Sequence, residues 1–218
     1  MKHFQYIFLA IVLFLLTSCF GIRADIVLNQ NGSGTISLEY RISKALDSLG
    51  RLDGNERWNT IPVGRADFER TISRLPDMRL LSFSSSEDPT DLIISLRMEF
   101  GSMEGLLAFL DATGQSSSFR GNSVQGTLNL TLSEGREGSN PDLDSLFAQI
   151  TQGYSVSFGL TVPGNANLSI LNRSGGTLPA NTYGINEYIN QGRRVYASFT
   201  LYDIITSTNG IVLNFNWN

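Results

Sequence analysis

The stretch Asp91-Leu92-Ile93-Ile94-Ser95-Leu96-Arg97-Met98-Glu99-Phe100-Gly101-Ser102-Met103-Glu104-Gly105-Leu106-Leu107-Ala108-Phe109-Leu110-Asp111-Ala112 changes its hydrophobic period partway along. Leu92, Ile94, Leu96, Met98 and Phe100 recur at every second position, the mark of a strand with one buried face. After Gly101 the spacing becomes helical: Met103, Leu106, Leu107 and Leu110 make one stripe, and Phe109 widens it. Ser102 is a good N-cap, and Glu104 complements the positive end of the helix dipole. A strand that passes straight into an amphipathic helix predicts an α+β fold.

The unit recurs on both sides. Upstream, Leu81 and Phe83 face inward on a strand joined to Leu92–Phe100 through the turn Glu87-Asp88-Pro89-Thr90-Asp91. The acids of that turn lack the spacing of a calcium loop, so a plain turn is the better account. Before it, a helix is expected from Arg65 to Leu75, with Phe68, Ile72 and Leu75 on one stripe and Pro76-Asp77 as its stop. Residues 43–62, with Trp58 and Pro62, read as a polar connection. Asp25 to Ile42 forms a first hairpin around Gln30-Asn31-Gly32-Ser33-Gly34.

Downstream, Ser117–Ser133 forms a third hairpin, with Leu128, Leu130 and Leu132 alternating. A helix from Pro141 to Gln152 follows, with Asn140 as N-cap and Leu143, Leu146, Phe147 and Ile150 on its stripe. Tyr154–Val162 is a strand, Pro163-Gly164-Asn165 a turn, and Leu168 and Ile170 an outer strand. Residues 172–193 carry no assignable period. Val195–Leu201 and Ile211–Trp217 are strands on either side of a single helical turn at Tyr202–Ser207. The expected architecture is an antiparallel sheet of successive hairpins with about three amphipathic helices packed on one face. Three hairpin-then-helix units in a row amount to a structural repeat without side-chain identity.

The amino terminus carries an address. Met1-Lys2-His3 is weakly basic, and Ile7 to Leu16 is an apolar run of ten residues. That is too short to span a bilayer, which takes about twenty residues, and fits the core of a secretory signal. It ends in Leu16-Thr17-Ser18-Cys19, which resembles the bacterial lipobox. Residues 1–18 are then expected to be cleaved, Cys19 to be acylated, and 19–24 to form a short tether before a domain over 25–218, single or in two closely packed parts. The alternative is ordinary secretion with cleavage after Ala24, which would discard Cys19.

Cleavage would remove the chain's only histidine and leave carboxylate-only catalysis and an oxygen-ligated calcium site open. His3 is the only histidine, Cys19 the only cysteine, and Lys44 the only lysine beyond residue 18. Without His3, no Ser–His or Cys–His nucleophile and no His- or Cys-ligated zinc site can form. Glu99 and Glu104 bracket a strand–helix junction but have simpler roles as a wet face and a helix N-terminus. The expectation is no enzyme, no catalytic residues, no metal and no cofactor. Fourteen arginines and one lysine against 20 acids speak against a nucleic-acid partner. Arg51, Arg57, Arg65, Arg70, Arg74 and Arg79 cluster, yet most alternate with acids as on a solvated helix face.

The layout resembles the LppM-type domain of bacterial lipoproteins. The lipobox at Cys19, the hairpin Asp25–Ile42, the junction Met98-Glu99-Phe100-Gly101-Ser102 and the strand end Leu160-Thr161-Val162-Pro163-Gly164-Asn165 carry the likeness. The resemblance implies an α+β fold likened to lipid-binding proteins, with no established enzymatic chemistry. Members often carry a C-terminal transmembrane helix; this chain ends in a strand, so anchoring is expected to rest on Cys19 alone.

Two functions follow as expectations. One is an envelope lipoprotein that binds a lipid or other apolar ligand in a sheet–helix groove, with Leu106, Phe109, Leu110 and Phe147 as groove candidates. The other is a structural or protein-interaction lipoprotein with envelope proteins as partners. Either would face the periplasm from the outer membrane or lie on the cell surface, held to the membrane by its N-terminal lipid.

Overall fold

The computed structural model describes residues 20–44, 64–112, 116–138, 141–179 and 184–218. The signal segment, Cys19, Arg51, Arg57, Trp58, Pro62 and the cap residue Asn140 lie outside them.

The decisive stretch folds as read. Strand β4 (Asp91–Phe100) runs into a helix at Met103–Ala112. Ser102 caps it: its hydroxyl accepts from the Gly105 backbone N–H at 3.2 Å. The remaining elements are β1 (Phe20–Leu28), β2 (Gly34–Ser43), α1 (Arg65–Ile72), β3 (Met78–Glu87), α2 (the Met103–Ala112 helix), β5 (Ser117–Gly121), β6 (Gly126–Ser133), α3 (Pro141–Ile150), β7 (Ser155–Leu171), β8 (Ile185–Ile189), β9 (Gln191–Thr200), α4 (Leu201–Thr206) and β10 (Ile211–Trp217). The three hairpin-then-helix units are β1-β2-α1, β3-β4-α2 and β5-β6-α3.

Four expectations are corrected. The sheet is mixed rather than antiparallel throughout: β1 pairs in parallel with β7, from Ile22↔Val156 to Val27↔Thr161. Four helices, not three, are present among the described residues. Pro163-Gly164-Asn165 is no chain-reversing turn but lies inside the 17-residue β7. Leu81 does not face inward, because a bulge between Leu80 and Ser82 shifts the register of β3 and leaves it 41% exposed. A bulge adds one residue to one strand and inverts the alternation beyond it, which hydrophobic pattern alone cannot show.

All ten strands among the described residues join one sheet, in the order β3-β4-β2-β1-β7-β10-β6-β5, with β9 also on β7 and β8 on β9. β7 is its spine. Ala166 and Asn167 pair with Gly192 and Gln191 of β9 and also with Trp217 and Asn216 of β10. A strand has two edges, so β9 and β10 lie on opposite ones. β1 therefore shares an edge of β7 with β10, β1 along the first half and β10 along the second. The sheet thus has two wings, β3-β4-β2-β1 with β9-β8, and β10-β6-β5.

Inward side chains of both wings form one core, including Ile36, Ile94, Met98, Phe100, Leu160, Phe199, Leu213 and Trp217. α1 packs on β3, α2 on β4 and β5, and α4 on β9 and β6, while α3 packs on α4. Phe68 of α1 reaches the rings of Tyr40 and Phe83, at centroid distances of 6.2 and 5.7 Å. The solvated side of α1 carries the ion pairs Arg65–Glu69 and Arg70–Asp67, the face expected from the alternating charges. No helix among the described residues is long and apolar enough to cross a membrane.

Candidate functional site

The groove candidates fall in two places. Leu106, Phe109 and Leu110 lie in the core beneath α2, each 1–4% exposed. Phe147 is half-buried on α3, the helix that packs against α4. Glu99 accepts two hydrogen bonds from Arg79, at 2.5 and 3.1 Å, as a cross-strand ion pair on the wet face. The turn acid Asp88 accepts from the backbone N–H groups of Thr90 and Asp91 at 2.8 and 2.6 Å, which is turn-forming work. Those hydrogen bonds hold its carboxyl below the ordinary carboxylate range.

The polar side chains that tertiary structure brings together lie on the outer face of the first wing. Strand pairing aligns Ser82, Arg97, Ser37, Asp25, Gly159 and Tyr196 in one row across six strands. The adjacent row holds Ser84, Ser95, Glu39, Arg23, Ser157 and Ser198. Small side chains at Ser37 and Ser95 leave a shallow hollow of about 250 Å³ between Arg23, Asp25 and Glu39.

Asp25 organises this face. It accepts from Arg23 Nε at 2.9 Å and from Arg194 at 3.0 Å. The Arg194 guanidinium also lies 5.5 Å from the Tyr196 ring centroid, a cation–π distance. Gly159 makes room: a Cβ there would stand 2.4 Å from Asp25 Oδ1. Partial burial works to raise the Asp25 pKa, but the hydrogen bonds and charges of Arg23 and Arg194 outweigh it, and the net direction is down. Arg23 moves up for the matching reason, its hydrogen bond to Asp25. With its pKa lowered, Asp25 is a carboxylate at neutral pH, paired with two guanidinium groups in one charged, hydrogen-bonded cluster.

The sign of the pH effect follows. A carboxyl whose folded pKa is depressed stabilises the fold in full above its ordinary pKa, and loses that contribution as pH falls through the folded value. In a carbon-13 NMR titration the Asp25 carboxyl should therefore have its midpoint below the ordinary value of about 3.9. In a variant with Arg23→Ala and Arg194→Ala the midpoint should rise above the parent's, because burial then acts unopposed. A parent midpoint at or above the ordinary value would contradict the cluster.

By sequence, Asp25 starts a strand, but Arg23 falls in the expected tether and Arg194 just outside an expected strand. Their convergence needed the parallel β1–β7 pair and the β7–β9 pair, for which the sequence holds no local signal.

The fold and this face define a mixed-sheet α+β domain with a polar, partly charged outer surface on its first wing. It is similar to the NMR structure of the folded domain of the Mycobacterium tuberculosis LppM protein, with 93% of this chain and 92% of that one covered, a TM-score of 0.44 and 10% identity. This is the resemblance read from the sequence motifs. No family model and no curated protein matches the chain.

Proposed function

We propose that the protein is a non-enzymatic lipoprotein of the bacterial envelope, anchored through Cys19, and that its domain is a binding module held against the membrane. The observation that carries this reading is the start of β1 at Phe20, directly after the lipobox cysteine. Cleavage after Ala24 would remove Phe20–Ala24, five of the nine residues of β1. It would break their pairing with Ile42–Leu38 of β2 and the Ile22–Ala24 pairing with Val156–Phe158 of β7. Cleavage before Cys19 keeps the whole strand. The polar outer face of the first wing then lies within reach of the bilayer surface and of neighbouring envelope proteins.

Growth in radiolabelled palmitate tests the anchor. The parent should be labelled and sediment with membranes; Cys19→Ala should be unlabelled. A parent that is unlabelled and starts at Asp25 defeats the reading. Photo-cross-linking residues at Ser37 and Ser95 test the contact face. Specific adducts in whole envelopes support it, and their absence from both positions counts against it.

A second reading, carriage of a lipid or other apolar ligand, is favoured by one observation. Leu146 is 49% exposed, and Phe147, Leu201 and Ile204 are half-buried, on the two helices α3 and α4 that pack together. Native mass spectrometry of the purified protein separates the readings, since a second lipid beyond the anchor would favour carriage.

A further inference from the structure

The outer face of the second wing has a different chemistry from that of the first. Strand pairing sets Gln191, Asn167, Asn216 and Thr127 in one row across β9, β7, β10 and β6. The adjacent row is Ser169, Asn214, Asn129 and Ser118 across β7, β10, β6 and β5. All eight side chains are neutral amides or hydroxyls. The first wing instead carries Arg23, Asp25, Glu39, Arg97 and Arg194 on the same side of the sheet. On the second wing, the charge in these rows is Arg120, at the β5 edge beside Thr127.

Asparagine is depleted in strands, where β-branched and aromatic residues fit better. Four asparagines on neighbouring strands therefore run against local preference, and such departures concentrate at functional positions. The side chains also form a directed chain of hydrogen bonds. Thr127 Oγ1 donates to Asn216 Oδ1 at 2.7 Å, and Asn216 Nδ2 donates to Asn214 Oδ1. Asn214 Nδ2 donates to Asn129 Oδ1 at 2.6 Å, and Asn129 Nδ2 donates to Ser118 Oγ at 3.2 Å. An amide has two N–H donors and two acceptor sites, so each keeps capacity for an outside partner while the chain holds its orientation. The first row ends in a hollow of about 460 Å³ lined by Asn165, Asn167 and Gln191, with Ala166 and Gly192.

We propose that this face binds a neutral glycan. Within these two rows and their edge, a charged ligand would find counter-charge at Arg120 alone. An apolar ligand would strip water from amides and give nothing back. A protein partner would find in these rows neither an apolar centre nor the charged side chains that the first wing offers. A chain of linked sugars offers vicinal hydroxyls that donate and accept together, matching an oriented amide. Three strand spacings of about 4.8 Å make the first row about 14 Å long, enough for a short oligosaccharide. The proposal does not depend on the anchor at Cys19, because every residue it uses belongs to the second wing, to β7 or to β9.

The test is calorimetric titration of the full chain, in a detergent without sugar headgroups, with chitotetraose, cellotetraose and maltotetraose. Saturable binding of at least one, unchanged from low to high salt, is expected. The variant Asn167→Ala with Gln191→Ala, two exposed positions outside the core, should bind about tenfold more weakly, the loss of one or two hydrogen bonds. Asn214→Leu interrupts the chain at its middle and should weaken binding further. If Asn214→Leu unfolds, the exposed pair decides alone. The proposal is overturned if none of the three sugars binds saturably, if binding survives the exposed pair of substitutions, or if it falls steeply with salt.

Discussion

Phe100→Ala should cost about 3–5 kcal/mol, the usual range for removing a buried phenylalanine. Phe100 is fully buried at the end of β4, opposite Gly34 of β2 and Met78 of β3. Its ring occupies the space a side chain at position 34 would need: a Cβ on Gly34 would stand 2.3 Å from Phe100 Cζ. The same Cβ would stand 2.1 Å from the Val27 carbonyl oxygen, which is backbone. Gly34→Ala should therefore also destabilise, by about 1–3 kcal/mol, as overpacking does. The double variant should show no rescue, since emptying the Phe100 site leaves the clash with Val27 in place. Thermal unfolding reads both effects. At about 2–4 °C per kcal/mol for a chain of this size, Phe100→Ala lowers Tm by roughly 6–20 °C. A drop of under 2 °C would mean that Phe100 is not in the core.

Trp217→Ala should cost a similar amount, about 3–5 kcal/mol, for a reason that concerns how the wings join. Trp217 is 4% exposed. Its ring stacks on Phe119, with centroids 5.8 Å apart and planes 9° apart. Its indole Nε1 donates to the Ser123 carbonyl at 3.3 Å, and the Ser123 hydroxyl donates in turn to the Gln30 carbonyl. Trp217 thus ties the β5–β6 loop to the turn between β1 and β2, where the two wings meet along β7. Trp217→Phe keeps an aromatic ring for the stack and loses the N–H, so it should cost about 1 kcal/mol for the hydrogen bond and somewhat more for lost volume. Equilibrium urea unfolding gives both values. Equal losses in the two variants would show that the stack contributes nothing.

Much of the secondary structure was legible because periodicity is a local property. Met98 and Phe100 alternate with Arg97 and Glu99 whatever the strand's neighbours are, and Ser102 caps its helix from within the same few residues. The misreadings fall where non-local pairing overrides a local sign. Pro163-Gly164-Asn165 has turn composition, yet β9 and β10 grip β7 on both edges at Ala166 and Asn167 and carry the strand through. Leu81 has the right spacing for the core, yet the bulge beside it turns it outward. Residues 172–193 lack a clear period, and still β8 forms at 185–189 because β9 offers it an edge.

The candidate sites divide the same way. The amide-rich face is visible in the sequence as scattered asparagines in Asn129, Asn167, Asn214 and Asn216, but only strand register makes them neighbours. The Arg23–Asp25–Arg194 cluster joins residues 169 positions apart.

By itself, then, the sequence determined which side of most strands is wet, where the helices start, and that residues beyond 18 hold no histidine. These follow from spacing and composition, which exist before the chain folds. Tertiary structure alone decided which strands are neighbours, that β1 lies parallel to β7, and that one face is charged while the other is neutral. Alternation says which face a side chain takes but never which strand lies beside it. Pairing is settled by how the inward faces of the described strands and helices close over a single core.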